Sequence, residues 1–373
     1  MKTAYKNMQL SYQDRWRNDL SILCENGKVA GVVQHHDIPG GYEQVDVNGK
    51  YLSTALIDLQ IYGGSGKVFL KEPTVEAIAA TYKYCLSGGA AHFMITLPTI
   101  GFDIIDRAIE AVHAYWQQGG KGLLGLHLEG PFINAEKKGA HLAHYITLPT
   151  LEQVQALLAK ANGAVKMMTV APEKVTVEIV QALEAAGVLV SAGHSNATYD
   201  VATKMFNDAG IPAATHLFNA MSPLESRAPG IVGAIYDHDT ICSSVVADGV
   251  HVSFDAIRIS KKIMGPRLFL ITDAVDVNES GDYIYLRQAD RFVTEKGILA
   301  GSCLTMLQAV KNCVEKVGIP AHEALRMGST YPAKLAQKEA SLGTLHIGAD
   351  ATFVLFDEQF QPQGMIIEGE LKD

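Results

Sequence analysis

Two hydrophobic regimes divide this chain. Through its middle, short continuous apolar runs near 56–60, 92–97, 122–129, 165–170, 189–193, 213–217, 242–247 and 268–272 read as strands covered on both faces. Most are separated by tracts of helical period, which predict helices over 74–87, 102–117, 151–161, 175–186, 199–207, 254–264 and 304–317, with Thr150, Ser253 and Asp200 at capping positions. Strand alternating with helix across eight strands predicts an α/β fold, a (β/α)8 TIM-like barrel. Toward both ends the pattern turns to short β-type pieces. In the first part they are punctuated by Gly27-Lys28, Pro39-Gly40-Gly41 and Asn48-Gly49-Lys50, the last reading as a hairpin. In the last part they are Gly343-Thr344-Leu345, Gly348-Ala349-Asp350, a strand over 351–356 and another over 365–368. The expectation is a small β-sandwich domain built from both chain ends, residues 1–53 with 343–373, beside a barrel of residues 54–342. The tract 275–300 breaks the alternation and reads as a hairpin lid, with Tyr283-Ile284-Tyr285-Leu286 as one arm.

Composition then narrows the class. With 373 residues, 48% of them apolar and 19% charged, the chain can bury a large core. Lys and Arg number 31 against 40 Asp and Glu, a net charge of −9, so no general basic field attracts nucleic acid and an anionic substrate must be held by a local pocket. The five cysteines (Cys24, Cys85, Cys242, Cys303, Cys313) are odd in number, scattered and never in CxxC spacing, which argues against a disulfide framework or zinc ribbon and fits a reducing cytoplasm. The start lacks an apolar segment of signal type, and no uncharged apolar run approaches the roughly 20 residues of a membrane span, so a soluble cytoplasmic protein is expected.

The candidate chemistry sits where such a barrel places it, at the C-terminal ends of strands. Gln60 follows the first run, Glu129 the third, His194 the fifth and His216 the sixth; His251 lies just beyond the seventh and Asp273 follows the eighth. Glu129, His194 and His216 meet the three-ligand count of a catalytic divalent ion with a position left for water. Asp273 suits a proton shuttle, taking a proton from the attacking water and returning it to a departing amine, which amide hydrolysis requires. A lone strand-end His is more often a hydrogen-bonded structural residue; the four residues at sibling strand ends together favour ligation. His127 shares a face with Glu129 and is either a support for the site or a buried His that hydrogen-bonds. His92, His113, His322 and His346 read as structural, and His35-His36 as solvated loop. Gly63-Gly64-Ser65-Gly66 is either a phosphate cradle or a turn leaving the barrel mouth. Arg227, on the loop after the sixth strand, offers a planar fork to a phosphate or carboxylate, though an exposed loop Arg commonly does nothing of the kind.

The motifs Ile57-Asp58-Leu59-Gln60-Ile61-Tyr62-Gly63, His127-Leu128-Glu129-Gly130-Pro131-Phe132, Lys137-Lys138-Gly139-Ala140-His141, Gly193-His194-Ser195-Asn196-Ala197, His216-Leu217-Phe218-Asn219-Ala220-Met221, Ala247-Asp248-Gly249-Val250-His251, Thr272-Asp273-Ala274 and Ala300-Gly301-Ser302-Cys303-Leu304-Thr305 run in order along essentially the whole chain. Together they resemble the N-acetylglucosamine-6-phosphate deacetylase family of the amidohydrolase superfamily. The resemblance implies hydrolysis of N-acetyl-D-glucosamine 6-phosphate to D-glucosamine 6-phosphate and acetate. It makes Glu129, His194 and His216 metal ligands, Gln60 a ligand through water, and Asp273 the general base and then acid. It assigns the phosphate to Asn219 and Ala220, with Arg227 donated across a homodimer interface. It assigns the sugar to Ala140, His141, His251 and the backbone near Asp248 and Gly249, and closure over the substrate to Leu299, Ala300 and Gly301. Many amidohydrolases carry His-x-His after the first strand to help hold a second metal, and some deacetylases of this family carry Gln-x-Asn and work with one. Here Gln60 matches the second pattern and Tyr62 departs from both, so one divalent ion, Zn or Fe, is expected and a second site is not. The alternatives are a deacetylase of the galactosamine isomer, a cyclic-amide hydrolase, and a catalytically silent barrel acting as a binding protein. The cyclic-amide reading needs a Lys at the mouth end of the fourth strand, whereas Lys166 stands at its start.

Overall fold

All eight apolar runs form strands in the computed structural model, which describes residues 2–372. They are β1 Leu56–Ile61, β2 Ala90–Leu97, β3 Leu123–Glu129, β4 Val165–Val170, β5 Leu189–Ala192, β6 Ala213–Ala214, β7 Cys242–Val246 and β8 Leu268–Ile271. They stand side by side in chain order within one eight-stranded sheet. From β2 through β8 neighbouring strands pair in parallel register. The seam closes just past the strand ends, where the Asp273 N–H donates to Gln60 O at 3.0 Å and the Tyr62 N–H to Ala274 O at 2.9 Å. Closure of this kind removes the sheet edges.

A helix follows each strand: α1 Val75–Ser87, α2 Phe102–Gln117, α3 Leu151–Ala161, α4 Val177–Ala185, α5 Tyr199–Ala209, α6 Gly230–Asp237, α7 Phe254–Met264 and α8 Met306–Asn312. Thr150 caps α3 in a capping box with Gln153, and Ser253 caps α7 through the Ala256 N–H. Asp200 is not the cap of α5. That place belongs to Thr198, whose extended backbone lets its hydroxyl accept from the Val201 N–H, and Asp200 lies in the first turn. Sequence periodicity misses α6 because residues 230–235 are all buried and include two glycines, leaving no polar face to reveal a period. Two further short helices, Ala321–Gly328 and Thr330–Leu335, lie beyond the helices that the periodicity predicts.

The described residues divide into two compact units, one running up to Asp58 with Cys85–His92 and everything from Thr305, the other comprising Leu59–Tyr84 and Phe93–Leu304. The first holds the sandwich. Its six-stranded sheet interleaves both chain ends, placing Phe353–Phe356 and Pro362–Ile367 beside Tyr51–Thr54 and Gln9–Tyr12. The other sheet has four strands, Lys28–Gln34, Leu20–Glu25, Lys2–Lys6 and Glu43–Asp46. Tyr5, Ile22, Leu10, Leu52, Phe353 and Ile366, drawn from both sheets, form one buried cluster. Met1 and Asp373, the outermost residues of the predicted domain, lie outside the described residues. The expected hairpin at Asn48-Gly49-Lys50 is absent. Its flanking strands enter different sheets, Glu43–Asp46 pairing parallel to Thr3–Lys6 and Tyr51–Leu52 parallel to Gln9–Leu10, so this turn carries the chain between sheets alongside the one at Asn7. His35 is likewise not free loop, because its ring contacts Ser21 Oγ and Asn18 O; His36 is exposed.

In the second unit the lid tract forms a three-stranded antiparallel meander, Leu286–Gln288, Arg291–Val293 and Leu299–Ser302, entered through an Asn278–Tyr285 bridge. Tyr283 ties it to the loops after β2 and β3, donating to Thr99 O at 2.6 Å and accepting from the Leu142 N–H. Beneath the barrel mouth His127 resolves as a buried, fully hydrogen-bonded residue. Its Nδ1–H donates to Leu59 O at 3.1 Å, and its Nε2 accepts from Thr169, which continues to Thr215 and Ser191. Burial disfavours a charged ring there and lowers the His127 pKa from 6.5 to about 4. The unfolded chain therefore takes up this proton first as pH falls, and stability is lost from about pH 6.5 down toward the folded value. Urea unfolding of chelator-stripped protein should show a loss of about 2 kcal/mol between pH 7 and pH 5 from this residue, and His127→Asn should shrink the pH difference by that amount. An unchanged difference in the variant rules His127 out as its source.

Candidate active site

Glu129 ends β3, Gln60 lies in β1, and His194, His216 and Asp273 each stand two residues past a strand, after β5, β6 and β8. Those last three occupy the left-handed region, with φ of 46°, 36° and 54°. A side chain with a Cβ is strained there by about 1–2 kcal/mol, and such conformations persist only when neighbours hold them. They are held: the Asn134 N–H donates to His194 O at 2.9 Å, Ser244 Oγ accepts the His216 N–H at 2.7 Å, and the Ser302 N–H donates to Asp273 O at 2.9 Å. The departure from strand geometry directs three side chains to one point.

At that point Glu129 Oε1 lies 2.9 Å from His216 Nε2 and 3.2 Å from His194 Nε2, and the two ring nitrogens are 3.1 Å apart. His194 Nδ1 faces Lys137 O at 2.9 Å; a carbonyl only accepts, so Nδ1 carries the proton and Nε2 presents a lone pair. His216 Nδ1 is buried with no hydrogen-bond partner among the described residues. Two imidazole nitrogens and a carboxylate oxygen this close, all buried, call for positive charge between them, and the donor set is that of a catalytic divalent ion. His141 is also adjacent: Glu129, His141 and His194 offer ligand atoms within 4.8 Å of one another. Its tautomer argues for another part. The Thr99 N–H donates to His141 Nδ1 at 3.1 Å, which puts the proton on Nε2, and that Nε2–H donates to Glu129 Oε2 at 2.9 Å. Burial works against charge on Glu129, but His194 and His141 outweigh it and hold the carboxyl well below its ordinary range.

Asp273 meets a different environment. Its Oδ1 accepts from Gln60 Nε2 at 2.8 Å, and the same nitrogen donates to Glu129 Oε1 at 3.0 Å, so one amide bridges the two carboxylates. Burial raises the Asp273 pKa, and Glu129 adds to the rise while His216 and His251 oppose it. His251 Nε2 stands 3.7 Å from Asp273 Oδ2, and its Nδ1–H is fixed by Asp248 Oδ2 at 2.6 Å. Asp248 Oδ1 in turn accepts the N–H groups of Val250 and His251.

These groups face a cavity of about 230 Å³. Of the substrate contacts expected from the sequence, Ala140, His141, Asn219, Ala220, His251 and the Leu299–Gly301 edge line it. Asp248 and Gly249 do not: the Asp248 carboxylate is engaged by His251, and Gly249 is an exposed turn. Arg227 is exposed on its loop and also lies outside the lining, which contains no Lys or Arg. Sequence reasoning missed Tyr283 and Tyr285, which line the cavity from the lid, although their i, i+2 spacing places both rings on one face of an extended segment. It also missed Glu173, in the short turn after β4. Glu173 accepts from Asn134 Nδ2 at 2.8 Å, from Ser195 Oγ at 2.7 Å and from the Asn196 N–H at 2.7 Å, joining the loops after β3, β4 and β5 around His194. No spacing rule reveals such a loop carboxylate.

Residues 51–372 match the model of the Amidohydrolase family. Over its full length the chain is similar to the N-acetylglucosamine-6-phosphate deacetylase of Haemophilus influenzae, 33% identical over 384 residues that cover 100% of each. It is 30% identical over 328 residues to the N-acetylgalactosamine-6-phosphate deacetylase of a Shewanella species, covering 86% of this chain and 82% of that one. Among solved structures it is similar to N-acetylglucosamine-6-phosphate deacetylase from Pasteurella multocida, with a TM-score of 0.95, 31% identity and 100% of both chains covered. The Glu173 clamp is open to test. Glu173→Gln sets an NH2 group against one of three donors, and should weaken divalent-ion affinity about tenfold or more and lower unfolding stability by about 1–3 kcal/mol. Ion uptake equal to wild type in equilibrium dialysis would show that His194 does not depend on this clamp.

Proposed function

The chain belongs to the amidohydrolase family, and on that premise we propose that it hydrolyses N-acetyl-D-glucosamine 6-phosphate to D-glucosamine 6-phosphate and acetate with one divalent ion, Zn or Fe, held by Glu129, His194 and His216. The observation that carries this reading is the convergence of two imidazole nitrogens on Glu129 Oε1, with Asp273 bridged to the same carboxylate through Gln60. The glucosamine isomer is preferred because the relative matched over its full length bears that name. When bound, the ion supplies Lewis acidity that brings the pKa of water toward neutrality and polarises a carbonyl.

The chain's own groups do the rest. Asp273 takes a proton from water as the water oxygen attacks the acetyl carbonyl carbon, and gives it to the amide nitrogen as the C–N bond breaks, releasing acetate and an amine. Its raised pKa brings it closer to working pH than an ordinary carboxylate. Asn219 offers its amide to the substrate beside the His141 ring, while His251, aimed by Asp248, faces the sugar next to Asp273. A lining without Lys or Arg supplies no cation for the phosphate, which favours Arg227 of a second copy in a homodimer. None of the five cysteines forms a disulfide among the described residues, in keeping with a reducing cytoplasm. No helix of the described residues is long and apolar enough to cross a membrane.

Acetate release should stop when the ion is chelated and return on adding it back, and Asp273→Asn should lower kcat by about 10² or more. Turnover within a few-fold of wild type in the variant refutes the shuttle, and higher kcat/KM on the galactosamine isomer refutes the substrate. Arg227→Ala and Asp273→Asn chains, each inactive alone, should regain about a quarter of wild-type activity when unfolded and refolded together, because a mixed two-fold dimer assembles one intact site. No recovery on mixing refutes the shared site.

A further inference from the structure

The two oxygens of Glu129 have different partners. Oε1 faces His194 Nε2, His216 Nε2 and the Gln60 amide. Oε2 instead receives two hydrogens, one from the Tyr62 hydroxyl and one from His141 Nε2–H at 2.9 Å. A carboxylate oxygen only accepts, so the Tyr62 hydroxyl hydrogen goes to Oε2, with Gln60 Nε2 2.9 Å from the phenol oxygen. Hydrogen bonds at the barrel seam and from the loop after β1 fix the backbone that carries this ring: the Tyr62 N–H donates to Ala274 O and the Phe69 N–H to Tyr62 O, both at 2.9 Å. An ordinary phenol keeps its hydrogen at neutral pH, so Tyr62 is a donor there.

A carboxylate with both oxygens bare can grip an ion through either or both. One with an oxygen occupied by two donors offers only the other. We propose that Tyr62 is a positioning residue that, with His141, engages Oε2 and thereby reserves Oε1 of Glu129 for the ion. This rests on the metal-dependent reading above and goes beyond it by assigning a part to the one residue in that strand-end pair that the sequence resemblance leaves without a counterpart. Because the hydroxyl orders the carboxylate before an ion arrives, the ordering cost is removed from binding. The same contact fixes the number of oxygens around the ion, which decides how many positions remain for water and substrate.

Cobalt(II) is the probe, because its visible bands report coordination number. Chelator-stripped full-length wild type and Tyr62→Phe are titrated with cobalt(II) and followed by absorption and equilibrium dialysis, with thermal unfolding of the stripped proteins alongside. In Tyr62→Phe the dissociation constant should rise about tenfold or more. Its bands should lose intensity as the released Oε2 joins the coordination sphere and a higher-coordinate ion forms. A spectrum and affinity equal to wild type overturn the proposal. So does a lower melting temperature with an unchanged spectrum, since that leaves Tyr62 as packing alone. Wild type that takes up no ion overturns the metal-dependent reading itself, a result separate from any behaviour of the variant.

Discussion

Everything at the barrel mouth answers to one constraint: two imidazole nitrogens brought to within hydrogen-bond distance of a single buried carboxylate oxygen. In a desolvated site this cluster is stable only with positive charge at its centre, and a low dielectric makes that demand large. The β/α alternation supplies the geometry, because strand ends from different parts of the chain open onto one space. Strand geometry alone is insufficient, since alternation would carry successive side chains to opposite faces. His194, His216 and Asp273 therefore leave their strands through left-handed residues. The strain is offset by backbone hydrogen bonds from neighbouring loops, so ligand placement and loop packing form one energetic unit.

That unit is supported on two levels. Below, His127, Thr169, Thr215 and Ser191 form a buried chain in which each side chain has a partner, so the floor of the site is polar without leaving donors stranded. Around it, Glu173 gathers three donors from two loops, and Ser195 pairs with Met221 to tie the His194 loop to the one that carries His216 and Asn219. Tyr283 does the same for the lid by hydrogen bonding to the loops after β2 and β3. A carboxylate, two histidines and an aspartate thus owe their positions to surrounding groups, most of which lie outside the cavity lining.

The scaffold was legible because its signals are periodic. Eight apolar runs gave eight strands, and Thr150 and Ser253 gave two caps, since a cap is a local side-chain-to-backbone bond. What escaped was decided by backbone conformation and by contacts distant in sequence. Thr198 displaces Asp200 because capping needs an extended backbone as well as an acceptor, and α6 hides because burial on all sides erases its period. The turn at Asn48-Gly49 has hairpin chemistry, yet tertiary pairing sends its two strands to different sheets. At the site, residue type and strand-end position singled out Glu129, His194, His216 and Asp273, four side chains that the structure brings together. The tautomer of His141, the hydroxyl of Tyr62 and the clamp of Glu173 depend on which backbone groups lie nearby, and no sequence pattern encodes that.

The two carboxylates show how the surroundings divide the work. Glu129 and Asp273 are both buried and share the Gln60 amide, yet their pKa values move in opposite directions. Glu129 is surrounded by His194, His216, His141, Tyr62 and Gln60, so its charge is stabilised from nearly every side. Asp273 has the Gln60 hydrogen bond and a His251 nitrogen at 3.7 Å, and it also feels the negative charge of Glu129. A group held firmly ionised suits ligation, since a ligand that took up a proton would release its ion. A group pushed toward neutrality suits proton transfer, since it must accept and return a proton within one turnover. His251 stands just beyond hydrogen-bonding distance of Asp273, and its ring is already committed to Asp248. It can therefore moderate the charge on Asp273 without consuming the lone pair that the reaction needs.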